Sequence, residues 1–205
     1  MIDAIIFFCS TEFSQWFINN WLEIFGAATM LLYIWLEIKQ KQVMWVVGFI
    51  SSLVYVFVCF QSKIYGYAVL YIYYVAISIY GWYCWRYARQ SDGTVTELKI
   101  SRIRISLALV LTTIFVVLYI VSAFALRRFT DSPVPYYDAL GTSLSIVATW
   151  MLARKILEHW ILWVFVNFFS AVLFFSQRLY PTAGLFVVYG ILSVVGWFKW
   201  KRSIL

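Results

Sequence analysis

Gly81-Trp82-Tyr83-Cys84-Trp85-Arg86 returns 115 positions later as Gly196-Trp197-Phe198-Lys199-Trp200-Lys201, and the match runs without a gap from Trp21–Arg86 onto Tyr136–Lys201. Along it Gly26 meets Gly141, Trp35 meets Trp150, Trp45 meets Trp160, Phe60 meets Phe175, Tyr65 meets Tyr180 and Tyr74 meets Tyr189. Aromatic residues make up 21% of the chain and coincide often by chance. A Gly-Trp-aromatic-x-Trp-basic ending in phase with the other matches does not. The chain contains an internal repeat.

Each copy is apolar over stretches long enough for a helix to cross hydrocarbon. The spans read Trp21–Ile38, Val43–Gln61 and Tyr65–Trp85 in the first copy and Tyr137–Ala153, Leu157–Ser176 and Thr182–Trp200 in the second, with Ile103–Ala125 between them. Three spans carry the chain to the opposite side and the single intervening span carries it back. Both copies therefore enter the membrane from the same side, as a parallel repeat about an axis along the membrane normal. The expected fold is an all-α polytopic membrane protein of seven transmembrane helices, two parallel three-helix repeats joined by a linker helix. Its segments are 1–19, 20–88 (first repeat), 89–128 (loop and linker helix) and 129–205 (outer loop and second repeat). Residues 1–19, interrupted by Asp3, Ser10, Glu12 and Ser14, read as a helix lying in the interface.

Composition agrees. Of 205 residues, 64% are hydrophobic and 12% charged, far from the balance of a soluble domain. The 16 Lys+Arg against 9 Asp+Glu sit mostly in short gaps between spans, which is orientation charge and not a nucleic-acid face. One side collects Lys39, Lys41, Arg86, Arg89, Lys99, Arg102, Arg104, Arg154, Lys155, Lys199, Lys201 and Arg202; the other has Lys63, Arg127, Arg128 and Arg178. The positive-inside rule makes the first side cytoplasmic, with the C-terminus inside and the N-terminus outside. No cleavable signal is evident at the N-terminus. Cys9, Cys59 and Cys84 lack metal or redox spacing and read as apolar filler.

Polar groups deep in a span are costly and mark function. Asn167 is the one asparagine within a span, and Trp160, Trp163, Asn167 and Ser170 share a helical face. An indole wall beside an amide suits a flat heteroaromatic ligand with a hydroxylated tail, and a cationic ring gains cation–π attraction. The competing reading is that Asn167 only joins two helices. Ser145, Thr149 and Trp150 form a second candidate face, and Tyr71, Tyr74 and Ser78 a third; Tyr189 repeats Tyr74, and Ser52 and Gly48 stand where the second copy has Asn167 and Trp163. Glu23 and Asp138 align at the outer starts of their helices, where acids complement the helix dipole. His159 has no ligand cluster in sequence, so no metal is expected.

The second repeat, from Asp138-Ala139-Leu140 and Leu144-Ser145-Ile146-Val147-Ala148 through Arg154-Lys155 to Trp160-Ile161-Leu162-Trp163-Val164-Phe165-Val166-Asn167, resembles PnuC-type vitamin transporters. In the first repeat Leu36-Glu37-Ile38 and Ile79-Tyr80-Gly81-Trp82-Tyr83-Cys84-Trp85 agree. The resemblance covers Trp21 to Arg202. It implies a SWEET-like fold in the bacterial cytoplasmic membrane, assembled as a trimer, and passive uptake of nicotinamide riboside, with thiamine or riboflavin carried by sister branches. It also implies trapping of the vitamin by a cytosolic kinase. Where nicotinamide riboside carriers of the family have amides in the third span, this chain reads Leu70-Tyr71-Ile72 and Ser78-Ile79-Tyr80.

Other classes fare worse. A membrane-embedded enzyme needs a metal cluster, a nucleophile with its base or paired carboxylates, and no such set is present. A scaffold needs no polarity in mid-span. No Gly-x₄-Gly-Lys-Ser/Thr loop binds ATP and no acid lies deep in a span to couple ions, so neither a cofactor nor an energy source is expected.

Overall fold

A computed structural model describes residues 21–61, 65–89, 95–96, 98–130, 134–178 and 180–204. The interfacial segment expected over residues 1–19 lies outside them.

Among the described residues there are seven long helices: α1 (Trp21–Ile38), α2 (Met44–Gln61), α3 (Tyr65–Arg86), α4 (Ile105–Phe129), α5 (Pro135–Ala153), α6 (His159–Ser176) and α7 (Tyr180–Arg202). A two-residue antiparallel ladder, β1 (Ala88–Arg89) with β2 (Val95–Thr96), lies between α3 and α4. Five helices are long and apolar enough to cross a bilayer by themselves, over Met44–Gln61, Ala68–Arg86, Ile105–Phe129, His159–Ser176 and Thr182–Arg202. The first helix of each copy completes the set: α1, apolar over Phe25–Ile38 and ending on Glu37 and Ile38, and α5, which carries Asp138, Thr142, Ser143, Ser145 and Thr149. They are also the helices that touch the other copy: α1 packs on α7 and α5 on α3. Polarity is tolerated there because protein, not lipid, surrounds it.

Boundaries shift where tertiary bonds compete with hydropathy. Hydropathy starts the fourth span at Ile103, but the Ile103 N–H donates to Glu158 Oε2 at 2.9 Å, and Ser101 pairs with Ile156. The chain stays extended to Arg104, where the helix begins. Leu157 donates its N–H to the Ser101 carbonyl, 2.9 Å, and α6 starts two residues later than its apolar run. α4 continues past Ala125 through Arg127 and Arg128, long cations that reach water from a helix end.

The turns closing α1 and α5 are alike. Gln40 and Lys155, which align in the repeat, take the left-handed conformation at φ 55° and 50°. Gln40 N–H bonds Glu37 O and Lys41 N–H bonds Leu36 O, both 2.9 Å; Lys155 N–H bonds Leu152 O at 2.9 Å and Ile156 N–H bonds Met151 O at 3.0 Å. Both are the six-to-one and inner bond pair that terminates a helix by reversing the chain, here without glycine.

The interior is densest at this basic end. Trp45 and Trp160 lie over Gly81 and Gly196, where a Cβ would collide with each indole. Trp45 meets Trp85 edge-on at 5.7 Å and 87°, and Trp160 meets Trp200 edge-on at 5.7 Å and 83°. Across the seam the Trp85 Nε1–H donates to Leu152 O at 3.3 Å, and the Trp200 Nε1–H donates to Glu37 O at 3.1 Å. Each bond is the other's equivalent at the offset of 115. A second apolar cluster, Leu111, Val147, Met151 and Ile156, seats α4 on α5.

Candidate substrate site

Midway along the helices the packing turns polar. On α6, Asn167 is 5% exposed and its Nδ2–H donates to Ser193 Oγ of α7 at 3.1 Å; Ser193 in turn donates to the Tyr189 carbonyl at 2.8 Å. Its repeat equivalent makes the same backbone bond, Ser78 Oγ–H to Tyr74 O at 2.7 Å. Five buried side-chain groups lack a hydrogen-bond partner among the described residues, three of them the Trp45 and Trp160 Nε1–H in the tryptophan core and Ser143 Oγ on α5; the other two lie one turn from this level, about 5–6 Å in each direction. These are the Trp163 Nε1–H on α6 and the Tyr189 hydroxyl on α7. A polar atom in that state carries an unrecovered desolvation cost.

The first copy continues this level. Tyr55 of α2 lies near Tyr189 and stacks on Tyr71 of α3, centroids 5.0 Å apart and planes 13° apart. Tyr71 meets Tyr74 edge-on at 6.2 Å. The Tyr74 and Ser145 hydroxyls are hydrogen-bonded to one another, and Thr149 Oγ1–H donates to Ser145 O at 2.7 Å. Tyr73 ties the same faces together by donating to Ile146 O at 2.8 Å. Four helices thus contribute aromatic and hydroxyl groups, and α6 adds the amide.

The structure therefore brings Asn167 beside Tyr189, and Tyr71 and Tyr74 beside Ser145 and Thr149. Ser52 is buried in α2. Gly48, aligned with Trp163, lies under Tyr33 and Ser78. Trp150 is half-buried between the two apolar clusters. Trp160 shares a face with Asn167 but is fully buried in the tryptophan core, so it is packing and not a ligand wall. Thr149, Ser78 and Ser193 each donate to their own helix backbone, the bond that membrane hydroxyls commonly make. A shallow apolar groove lined by Trp45, Val46, Phe49, Ile79 and Trp82 shares no residue with this polar level.

The asymmetry of the halves is physical. In the first copy Tyr55 fills the space over Gly26, whereas nothing lies within 4 Å of a Cβ placed on the equivalent Gly141, because position 170 is serine.

One pair escaped the sequence reading, which found no ligand cluster around His159 and no acid deep in a span. Glu37 is 4% exposed at the end of α1, and its Oε1 lies 3.0 Å from His159 Nε2, itself fully buried. The two come from different copies. No group of three or more metal-ligating side chains occurs among the described residues.

A bundle of apolar helices, with its polar groups turned inward at mid-depth and toward the seam between two sequence copies, defines a multi-pass membrane transporter. The sequence profile of the nicotinamide mononucleotide transporter family matches residues 20–202, and the chain belongs to that family. It is 28% identical over 208 residues to the nicotinamide riboside transporter PnuC of Escherichia coli (strain K12), covering 90% of this chain and 86% of that one. It is 27% identical over 183 residues to the riboflavin/roseoflavin transporter RibM of Streptomyces davaonensis, covering 88% and 84%. The crystal structure of the vitamin B3 transporter PnuC superposes with a TM-score of 0.71 at 24% identity, over 99% of this chain and 87% of that one, which supports the same fold.

Proposed function

We propose that the protein carries nicotinamide riboside passively across the bacterial cytoplasmic membrane, binding it midway between two parallel three-helix repeats. The observation that carries this reading is the pair of buried, unpartnered polar groups, Trp163 Nε1–H and Tyr189 hydroxyl, on either side of Asn167. A ribose and a carboxamide supply acceptors and donors that would end their isolation, and the Tyr55–Tyr71 stack and the Trp163 ring offer π faces to a pyridinium. The reciprocal Trp85–Leu152 and Trp200–Glu37 bonds support a pseudo-twofold relation between the repeats. The shared side of Arg86 and Lys201 supports its parallel sense, with the basic end cytoplasmic.

Among the described residues, no carboxylate stands at the mid-depth level, so transport equilibrates the vitamin and net uptake depends on a cytosolic kinase that phosphorylates it. Riboflavin is the second reading, on the RibM likeness, and thiamine the third, by its cationic ring. Calorimetric titration of purified protein with all three decides between them. Saturable binding of nicotinamide riboside with weaker riboflavin and thiamine binding is the expected result, and absence of nicotinamide riboside binding overturns the assignment.

A further inference from the structure

The acidic and basic side chains buried among the described residues are Glu37, Lys155 and His159, and all three sit at the basic end. So do the largest fully buried side chains, Trp45, Trp160, Trp200, Met44, Leu152, Leu157 and His159. This end of the seam is shut. His159 lies between two indoles, 4.7 Å from Trp160 and 4.9 Å from Trp200 by ring centroid. Its Nδ1 is 2.7 Å from the Ile156 carbonyl. A carbonyl only accepts, so Nδ1 carries a proton. One further proton lies between Nε2 and Glu37: either imidazolium Nε2–H donates to the carboxylate, or the carboxylic O–H donates to neutral Nε2.

We propose that the Glu37–His159 hydrogen bond is the latch holding the basic ends of the two halves together, and that it breaks and reforms each time this end opens. The proposal rests on the carrier reading. The repeat makes the pair conspicuous, because Glu37 aligns with Leu152 and His159 with Met44, both buried and apolar. Apolar packing holds those equivalent positions, and buried ionic pairs generally add no more stability than well-packed apolar side chains. The pair differs in what happens on opening. Parted leucine and methionine side chains expose apolar surface to water at a cost that grows with area. A parted carboxylate and imidazole exchange one hydrogen-bond partner for water at small net cost. A seam with a directional polar bond at its centre therefore has two discrete arrangements of similar free energy, as a reversible gate requires. The neighbouring Trp85 and Trp200 bonds end on backbone carbonyls and register the closed state.

The test is backbone hydrogen exchange on purified, substrate-free protein, read over residues 36–46 and 152–160 with residues 105–129 as internal control. Glu37→Leu removes the bond, whereas Glu37→Gln keeps one, its amide N–H donating to Nε2. Exchange at both seam segments should rise on the order of tenfold in E37L, the factor associated with loss of one buried hydrogen bond, and stay near wild type in E37Q, with α4 unchanged in both. Wild-type protection in E37L, or equal loss in E37L and E37Q, overturns the latch. Should E37L fail to fold, His159→Phe keeps a ring between the two indoles without the bond, and wild-type protection there overturns the proposal equally. Nicotinamide riboside counterflow in vesicles made from wild-type protein tests the carrier reading separately, because exchange is measured without substrate.

Discussion

Trp85 and Trp200, 115 residues apart, meet at the seam with ring centroids 6.1 Å apart and planes at 56°. Each gives its indole N–H to a backbone carbonyl on the opposite half, at Leu152 and Glu37. The contact is self-complementary, so the two bonds should be energetically interchangeable. Trp85→Phe and Trp200→Phe keep one ring of each indole, delete one bond each and leave a buried void. Each should cost about 0.5–1.5 kcal/mol for the bond plus a cavity cost, lowering Tm by at least a few degrees and by similar amounts in thermal unfolding of detergent-purified protein. A loss confined to one variant would show that the seam is not reciprocal in energy.

Asn167 and its neighbours test the binding level. Asn167→Leu removes the bond to Ser193 and an amide available to ligand, so nicotinamide riboside affinity should fall several-fold, given that about 1.4 kcal/mol is a factor of ten. Trp163→Ala should cost more, because ring face and N–H vanish together. Tyr189→Phe removes only the unpartnered hydroxyl, and its effect should appear in affinity with no loss of Tm. Ser170→Ala is the milder control. Titration calorimetry on folded variants measures all four, and unchanged affinity in N167L and W163A would move the ligand elsewhere.

The glycines give a stability prediction with a built-in comparison. Gly81→Ala and Gly196→Ala drive a methyl into Trp45 and Trp160, rings buried too tightly to withdraw. Each should destabilise by about 1–3 kcal/mol, the range for overpacking. Gly141→Ala meets nothing within 4 Å and should leave Tm unchanged or slightly raised. Unfolding temperatures of the three variants check the order.

Much of this was legible in the chain. All seven helices fall on the apolar runs, since lipid admits little else, and the Gly81–Trp45 and Gly196–Trp160 contacts recur because the sequence recurs. Helix ends were less legible: hydropathy at Ile103 and Leu157 carries no trace of the Glu158 and Ser101 bonds that keep them outside their helices. Glu37 and His159 lie 122 positions apart, and a pair so separated leaves no periodic signal. The repeat nonetheless held a clue, because each stands opposite an apolar residue of the other copy at a position that must be buried.

Vesicle uptake addresses the absence, among the described residues, of a carboxylate at the mid-depth level. Labelled nicotinamide riboside should reach equal concentration inside and outside proteoliposomes, whatever sodium or proton gradient is imposed. Accumulation above the outside concentration, without a kinase enclosed, would reveal a coupling site and point first to Glu37 and His159.

The linker helix α4 leans on α5, and its outward residues, Leu109, Val116, Val117, Ile120 and Phe124 among them, are exposed. It supplies neither a ring nor a hydroxyl to the polar level. In the parallel arrangement proposed above, its work is one of parity: three helices leave a chain on the wrong side of the membrane for a same-facing copy to follow, and one more crossing restores it. An ancestor that assembled from two separate three-helix chains would have had no use for this helix, and the same seam would then have been a subunit interface.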